Sequence, residues 1–424
     1  MDRFQRSALA KLIQPGIGHT SLPELSTSPH SLKMHLAQEL VDHIIDFLHD
    51  DPTTLIRISL VSRPWVGRAR TYLCESLKIT RPKLLSSNPS YLAPLCEYVK
   101  TLHFTWPRDL TEPPAILDCF ERSELHTLTI HSCELRGLDE QTIRRCFAKF
   151  PCASVTTLEL HDISPTHRTL VTFLSMFPNV DNLAISVNRW WADKPAPISS
   201  GDNHDETIKY TSPPCLRGSF KFFDPPGQGF WGFHRSNLLR TIATLPLQFQ
   251  TVSLNIRAQS WEEVLTFLSS CSETVRKVYI GPPCRKPRLC VPSAVPRAQR
   301  SCIVNQPIDQ PLPINFANLE ELYVDVWAPR DPLTQHIRLL LRSVTSPCLR
   351  RVIVELCDKE IRYIRRSRLD DALANLIERH RAYGNLALQI STKADPERVR
   401  QSLPRVAQEG VLEVKHSERP GYWA

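Results

Sequence analysis

The sequence predicts an α/β protein with two parts: a small N-terminal module of three helices, then an irregular α/β solenoid with a parallel sheet on its concave face. Two patterns predict this. Residues 35–80 carry apolar residues at helical spacing. Residues 81–424 alternate short apolar strand patterns with amphipathic helical patterns. Residues 1–34 lack such periodicity and are expected to be a flexible lead.

Composition excludes several classes of protein. The chain has 424 residues with 35 Pro, only 13 Gly and a net charge of +8, which excludes a collagen-like protein. An apolar share of 42% is too high for a disordered chain. No long apolar run or secretory signal is evident, so we expect no membrane segment. The 13 Cys are scattered singly, which is typical of reduced thiols in the cytoplasm and/or nucleus.

The first predicted helix begins near His35 and ends before the Asp50-Asp51-Pro52 sequence. Its apolar residues recur every four positions, with neighbours that widen the stripe: Leu36, Leu40, Val41, Ile44, Ile45 and Leu48. Asp51 is placed to cap the second helix, whose apolar side includes Leu55. The third helix carries Trp65, Ala69 and Leu73 on its buried side. Three such short helices make a small core, and a module of this kind usually docks onto something larger.

This order of residues resembles the F-box, the adaptor-binding module of Skp–cullin–F-box ubiquitin ligases. The resemblance rests on Leu36, Glu39, Leu40, Ile44, Leu48, Leu55, the 59–63 sequence SLVSR and Trp65. It departs at Ala37, where the family usually has Pro. The resemblance implies docking to a Skp-like adaptor protein, and through it to cullin, by Leu36, Leu40, Ile44, Ile45, Leu48, Leu55, Leu60 and Trp65. The alternative is an unrelated three-helix cap on the array that follows.

The downstream region repeats one strand theme, an apolar residue followed three and five positions later by two more. Eight copies occupy residues 99–104, 125–130, 155–160, 180–185, 249–254, 275–280, 319–324 and 349–354, and weaker copies lie at Phe220 and Leu388. Helical patterns between them cover 138–150, 167–177, 260–271, 332–344 and 368–381. Strand and helix in this alternation resemble degenerate leucine-rich repeats, because most copies lack the Asn or Cys that follows the strand in regular repeats. A doubly wound α/β domain is the alternative.

Side chains alternate along a strand, so the positions between the apolar ones should line the concave face. The resulting candidates for binding a protein substrate are His103, His131, Glu159, His161, Tyr279, Tyr323, Asp325, Arg351 and Glu355. A merely solvated face is the alternative. His131 and His161 occupy equivalent positions on successive strands and should lie about 5 Å apart. With Glu159 they suggest a metal or acid–base site as a lesser alternative.

Two segments escape the repeat pattern and are predicted to be long loops, at 189–215 and 281–313. The second is rich in Pro, Arg and Lys, which would suit a nucleic-acid binder, a class that the mild overall charge does not favour. No phosphate loop, zinc-protease, serine-hydrolase or paired-Cys motif is present, so no catalytic residue, cofactor or metal is predicted. The expected function is a non-catalytic substrate receptor of a ubiquitin ligase, with the substrate unknown. An F-box scaffold acting outside a ligase is the main alternative.

Overall fold

A computed structural model of the chain describes residues 37–61, 63–80, 92–106, 115–135, 138–187, 215–223, 236–256, 261–281, 314–326, 332–356, 361, 368–384 and 386–416. The chain divides into two compact units. The first consists of Met1–Ile130 with Arg145–Val155, and the second of His131–Arg144 with Thr156–Ala424.

Three helices open the first unit: α1 (Gln38–Phe47), α2 (Pro52–Ser59) and α3 (Arg63–Leu73). The predicted cap of α2 is confirmed. The Asp51 carboxylate accepts hydrogen bonds from the backbone N–H groups of Thr53 and Thr54, at 3.0 and 3.1 Å. Pro52 begins the helix, at a position where no backbone donor is needed.

The three helices enclose a small apolar core. Its fully buried members are Val41, Ile45, Leu55 and Ala69, and the partly buried residues packed against them are Leu48, Ile58, Trp65, Tyr72 and Leu73. Each helix contributes residues spaced three or four positions apart, as the periodicity predicted. The core is small, so each buried side chain accounts for a large share of the stability of this module.

The chain then alternates strands with short helices. The strands are β1 (Ser76–Ile79), β2 (Thr101–Thr105), β3 (Thr127–His131), β4 (Thr157–Ile163), β5 (Asn182–Val187), β6 (Leu216–Phe223), β7 (Leu247–Asn255), β8 (Lys277–Gly281), β9 (Ile314–Asn315), β10 (Glu321–Val326), β11 (Val344–Thr345), β12 (Arg351–Leu356), β13 (Ala387–Thr392) and β14 (Leu412–His416).

The helices between the strands include the five predicted ones. In chain order they are α4 (Ala93–Cys96), α5 (Glu140–Cys146), α6 (His167–Ser175), α7 (Ser236–Ala243), α8 (Trp261–Ser270), α9 (Pro332–Ser343), α10 (Leu369–His380), α11 (Pro396–Ser402) and α12 (Pro404–Gln408). Short 3₁₀ helices cover Ala115–Phe120, Cys152–Ser154 and Arg381–Tyr383. Pro begins or nearly begins α2, α4, α11 and α12, which explains part of the high proline content.

Twelve of the strands form one large parallel sheet that does not close on itself, and β9 and β11 form a separate pair. The order in the large sheet is β1-β2-β3-β4-β5-β6-β7-β8-β10-β12-β13-β14. Strand order therefore follows chain order from one edge to the other. A doubly wound sheet would reverse its order at a switch point, so the structure disagrees with that alternative. The prediction of an α/β fold with a parallel sheet is confirmed.

Each of the eight copies of the strand theme has its second and third apolar residues on a strand of this sheet, and all three apolar residues are buried. Leu158, Leu183 and Val252, for example, are at most 1% exposed. The pairing Leu158↔Leu183 and Leu183↔Phe220 brings equivalent positions of successive copies side by side. The predicted loops at 189–215 and 281–313 lie outside the described residues except at their ends.

Candidate docking site

Helix α1 divides its apolar residues between two sides. Val41 and Ile45 face the core and Leu48 packs against it. Leu40, Ile44 and Phe47 point outward instead, with 53, 41 and 87% of their surface exposed. Because an α-helix turns by about 100° per residue, this exposed stripe is rotated about 100° around the helix axis from the buried stripe. The apolar arc of α1 is therefore wider than its own module can cover.

Leu60 and Val61, just beyond the end of α2, are 67 and 69% exposed. Six large hydrophobic residues are exposed in the part of the chain that the structure describes, and five of them belong to this module. We call Leu40, Ile44, Phe47, Leu60 and Val61 the docking residues. Exposed apolar side chains concentrated in so short a segment are typical of an interaction site.

A polar network fixes α1 against α3 beside these residues. The guanidinium of Arg68 donates two hydrogen bonds to the carboxylate of Asp46, at 2.6 and 2.8 Å. The Tyr72 hydroxyl donates a third to the same carboxylate, at 2.8 Å. Arg68 and then Tyr72 lower the pKa of Asp46 from 3.8 to about 2. The network therefore ties the C-terminal end of α1 to α3.

This network predicts an acid-dependent loosening of the module. The pKa of Asp46 is lower in the folded chain, so its contribution to stability is present above pH 3.8 and is lost as the pH falls towards about 2. We expect the excess stability of the native chain over Asp46→Asn to shrink across that window. Pepsin cleavage within α1–α3 of the full-length proteins, compared at each pH, measures this. Asp50→Asn, at a neighbouring and largely exposed carboxylate, is the control and should leave the window unchanged.

Seven of the eight predicted adaptor-binding residues lie in the described part of the chain, and they fall into three groups. Leu40, Ile44 and Leu60 are exposed and available for contact. Ile45 and Leu55 are 0 and 1% exposed, so they support the module from inside and cannot contact a partner.

Leu48 and Trp65 are partly buried against the core, and Leu36 lies outside the described residues. Sequence reasoning missed Phe47 and Val61 as candidates. The spacing of Phe47, seven positions after Leu40, is the signal that would have found the first of them.

The predicted substrate face is only partly open. β2 and β4 alternate buried and half-exposed positions, as expected, which leaves His103, Glu159 and His161 half-exposed. β8, β10, β12 and β13 are buried at most positions on both faces, as is common in parallel sheets.

The expectation of a surface position was therefore wrong for three candidates: Tyr279, Tyr323 and Asp325 are 7, 0 and 3% exposed. Tyr323 donates a hydrogen bond to Glu355, and Tyr279 donates one to Glu321 at 3.1 Å.

Arg351 is also half-exposed and donates a hydrogen bond to Gln389 at 2.5 Å. Its Nη1 atom lies 3.7 Å from Oε2 of Glu321. Tyr323 and Glu355 are thus bonded to each other, and Tyr279 and Arg351 are bonded to other residues of neighbouring strands. These side chains stabilise the pairing of neighbouring strands and do not form an open surface for binding a substrate.

The predicted proximity of His131 and His161 is confirmed. Their rings stack with centroids 5.0 Å apart and planes 19° from parallel. Glu159 lies 3.4 Å from His161, between Oε2 and Nε2. Within the described ranges, no group of three or more His, Cys, Asp or Glu residues is arranged to hold a metal ion.

No protein-family model matches the chain, and no curated protein matches it. Among the helices that the structure describes, none is long and apolar enough to cross a membrane.

Proposed function

We propose that this chain is the substrate-recognition subunit of a Skp–cullin–F-box type ubiquitin ligase. In this proposal α1–α3 is an F-box that docks on a Skp-like adaptor, and the repeats hold a protein substrate. The observation that carries it is the exposed stripe of Leu40, Ile44 and Phe47 beside a buried stripe on the same helix. The F-box resemblance supplies the kind of partner that would cover this stripe.

The arrangement of the docking residues supports contact with a grooved or helical partner surface. Apolar side chains four and three positions apart on one helix are the usual anchors for such binding. Phe47 presents the largest area, and large aromatic side chains commonly dominate the energy of an interface. The Asp46 network holds α1 in place before binding, so less conformational freedom is lost on association.

The remainder of the chain would act as an irregular leucine-rich-repeat-like solenoid. Supporting this, successive strands pair in chain order, with helices in most of the connections between them. The ubiquitin-transfer chemistry would then belong to partner subunits. This chain would supply proximity, raising the effective concentration of substrate lysines at the transfer site.

Copurification tests this function. The full-length chain, coexpressed with a Skp-like adaptor and cullin, is expected to retain both through successive purification steps. Retention of the adaptor without cullin would favour the scaffold alternative. Absence of both, with the chain itself folded, would contradict the proposal.

A further inference from the structure

Within the second unit, a cleft opens at the amino-terminal ends of β6 and β7, on the side of the sheet where the parallel strands begin. It arises because β6 and β7 start earlier than their neighbours. Leu216 of β6 already pairs with Leu247 of β7, whereas β5 joins β6 only at Ser219. β8 likewise joins β7 only at Thr251. The first residues of β6 and β7 therefore project as a two-stranded ledge.

Gly218 makes this ledge possible. Its φ is +66°, and the strand register shifts between Gly218 and Ser219. A Cβ atom at this position would lie 2.1 Å from the backbone oxygen of Asp181, closer than any side chain tolerates. Only glycine fits both the backbone conformation and the close approach. The conformation of the ledge therefore depends on glycine at position 218.

The cleft beside the ledge has a volume of about 510 Å³ and no hydrophobic side chain in its lining. Arg217, Gln248 and Gln250 come from the ledge itself. The opposite wall includes Glu273 and Arg276, from the turn that precedes β8. With Asp181, the lining holds two acidic and two basic residues, so its charges balance.

Several of these polar side chains are exposed and have no partner in the part of the chain that the structure describes. Among the described residues, the side chains of Asp181, Arg217, Gln248, Gln250 and Glu273 form no hydrogen bond or ion pair with one another or with other residues. The strands and turns around the cleft are held together by backbone hydrogen bonds instead. One example is the bond from the N–H of Arg276 to the carbonyl oxygen of Gln250, at 2.8 Å. Five uncommitted polar side chains therefore line one concave surface.

The chemistry of the lining narrows the ligand class. Sites for lipids and aromatic cofactors are mostly apolar, and this one is not. Sites for nucleic acids and phosphates carry an excess of positive charge, and here the charges cancel. A ligand with alternating donors and acceptors and with charges of both signs remains. We propose that this cleft binds an extended peptide segment that carries one acidic and one basic side chain.

The polar side chains of β7 suit such a ligand. Gln248 and Gln250 are both exposed, on either side of the buried Phe249, and Gln250 is the extra residue of β7 at the register shift between β6 and β7. An extended peptide offers backbone N–H and C=O groups that side-chain amides of this kind can bond. Arg217 would pair with the acidic side chain, and Asp181 or Glu273 with the basic one. In naming the class of segment that a substrate would supply, this inference rests on the proposed function.

Peptide selection on the full-length chain tests the cleft without the adaptor, so the two proposals can fail separately. Phage-displayed random peptides are selected on the immobilised protein, and enriched sequences are synthesised and measured by fluorescence anisotropy. Enriched peptides should combine an acidic and a basic residue. Arg217→Glu should weaken their binding at least about tenfold, since a charged hydrogen bond is lost. Arg398→Glu, at an exposed arginine on α11, is the matched control and should bind as the native chain does.

The Gln248→Ala/Gln250→Ala variant removes the two amides without adding charge, and it also should bind at least about tenfold more weakly. Circular dichroism checks that each variant is folded. Failure to enrich any peptide over a blank surface would overturn the proposal. Equal affinity of the selected peptides for the native chain and a folded Arg217→Glu or double-Gln variant would overturn it as well.

Discussion

Replacing Leu40 and Ile44 with Asp should strongly weaken binding of the full-length chain to a Skp-like adaptor and change its thermal unfolding little. Both side chains are exposed, so the substitutions cost little in the free chain. In the complex each introduces a carboxylate into an apolar contact, and we expect the affinity to fall at least about a hundredfold. Surface plasmon resonance measures the affinity, and calorimetry the unfolding.

Tyr383→Asp is the matched control for this experiment. Tyr383 is the one exposed large hydrophobic residue that the described chain places outside the helical module, at 60% exposure. Its replacement changes an apolar surface group to a carboxylate at a site that the proposal does not use. Unchanged affinity in the Leu40/Ile44 variant, or an equal loss in Tyr383→Asp, would show that the docking residues have no special role.

Substitution of Ile45, the residue after Ile44, should instead destabilise the helical module. Ile45 has no exposed surface, so Ile45→Asp buries a carboxylate among Val41, Leu55 and Ala69. An unpaired buried charge costs several kcal/mol, roughly 4 or more, which is comparable to the whole stability of so small a module. We expect α1–α3 to unfold. Rapid proteolysis within residues 38–73 of the full-length chain would report this.

Ile44→Asp provides the comparison, because it places the same group one residue away on the exposed side. Equal protease resistance in the two variants would contradict the division of α1 into a buried and an exposed stripe. Ile45→Val, which removes one methylene, should cost about 1 kcal/mol and keep the module folded.

Much of the fold follows from local pattern. The apolar triplets around Leu158, Leu183 and Val252 predicted strands because each places its last two residues on one buried face. Asp51 followed by Pro predicted a helix start from capping chemistry alone. Each of these signals is carried by residues that are close together in the chain, so it can be recognised without knowledge of the tertiary structure.

Of the four described strands that the sequence patterns missed, two lie at the margins of the large sheet and two form the separate pair. β1 and β14 are its two edge strands, and β14 is largely exposed. An edge strand pairs on one side only and needs less apolar content, so Leu412–His416 does not repeat the theme. The short pair β9 and β11 has two residues in each strand, too few for any period to appear.

The candidate sites were harder to predict because burial depends on what covers each face. Strand alternation placed Tyr323 opposite the apolar core positions, but it did not indicate that this second face is buried as well. On α1, periodicity identified an apolar stripe without dividing Ile44 from Ile45. The amino-edge cleft depends on strand register and on the backbone conformation of Gly218, and neither leaves a motif in the sequence.

The most direct test of the docking claim is a calorimetric titration of the full-length chain with a Skp-like adaptor, repeated with Phe47→Ala. The proposed function predicts a dissociation constant of about 1 µM or tighter. It also predicts a negative heat-capacity change from apolar burial and a marked loss of affinity on truncation of Phe47. Absence of binding, or equal affinity of the native chain and Phe47→Ala, would contradict it.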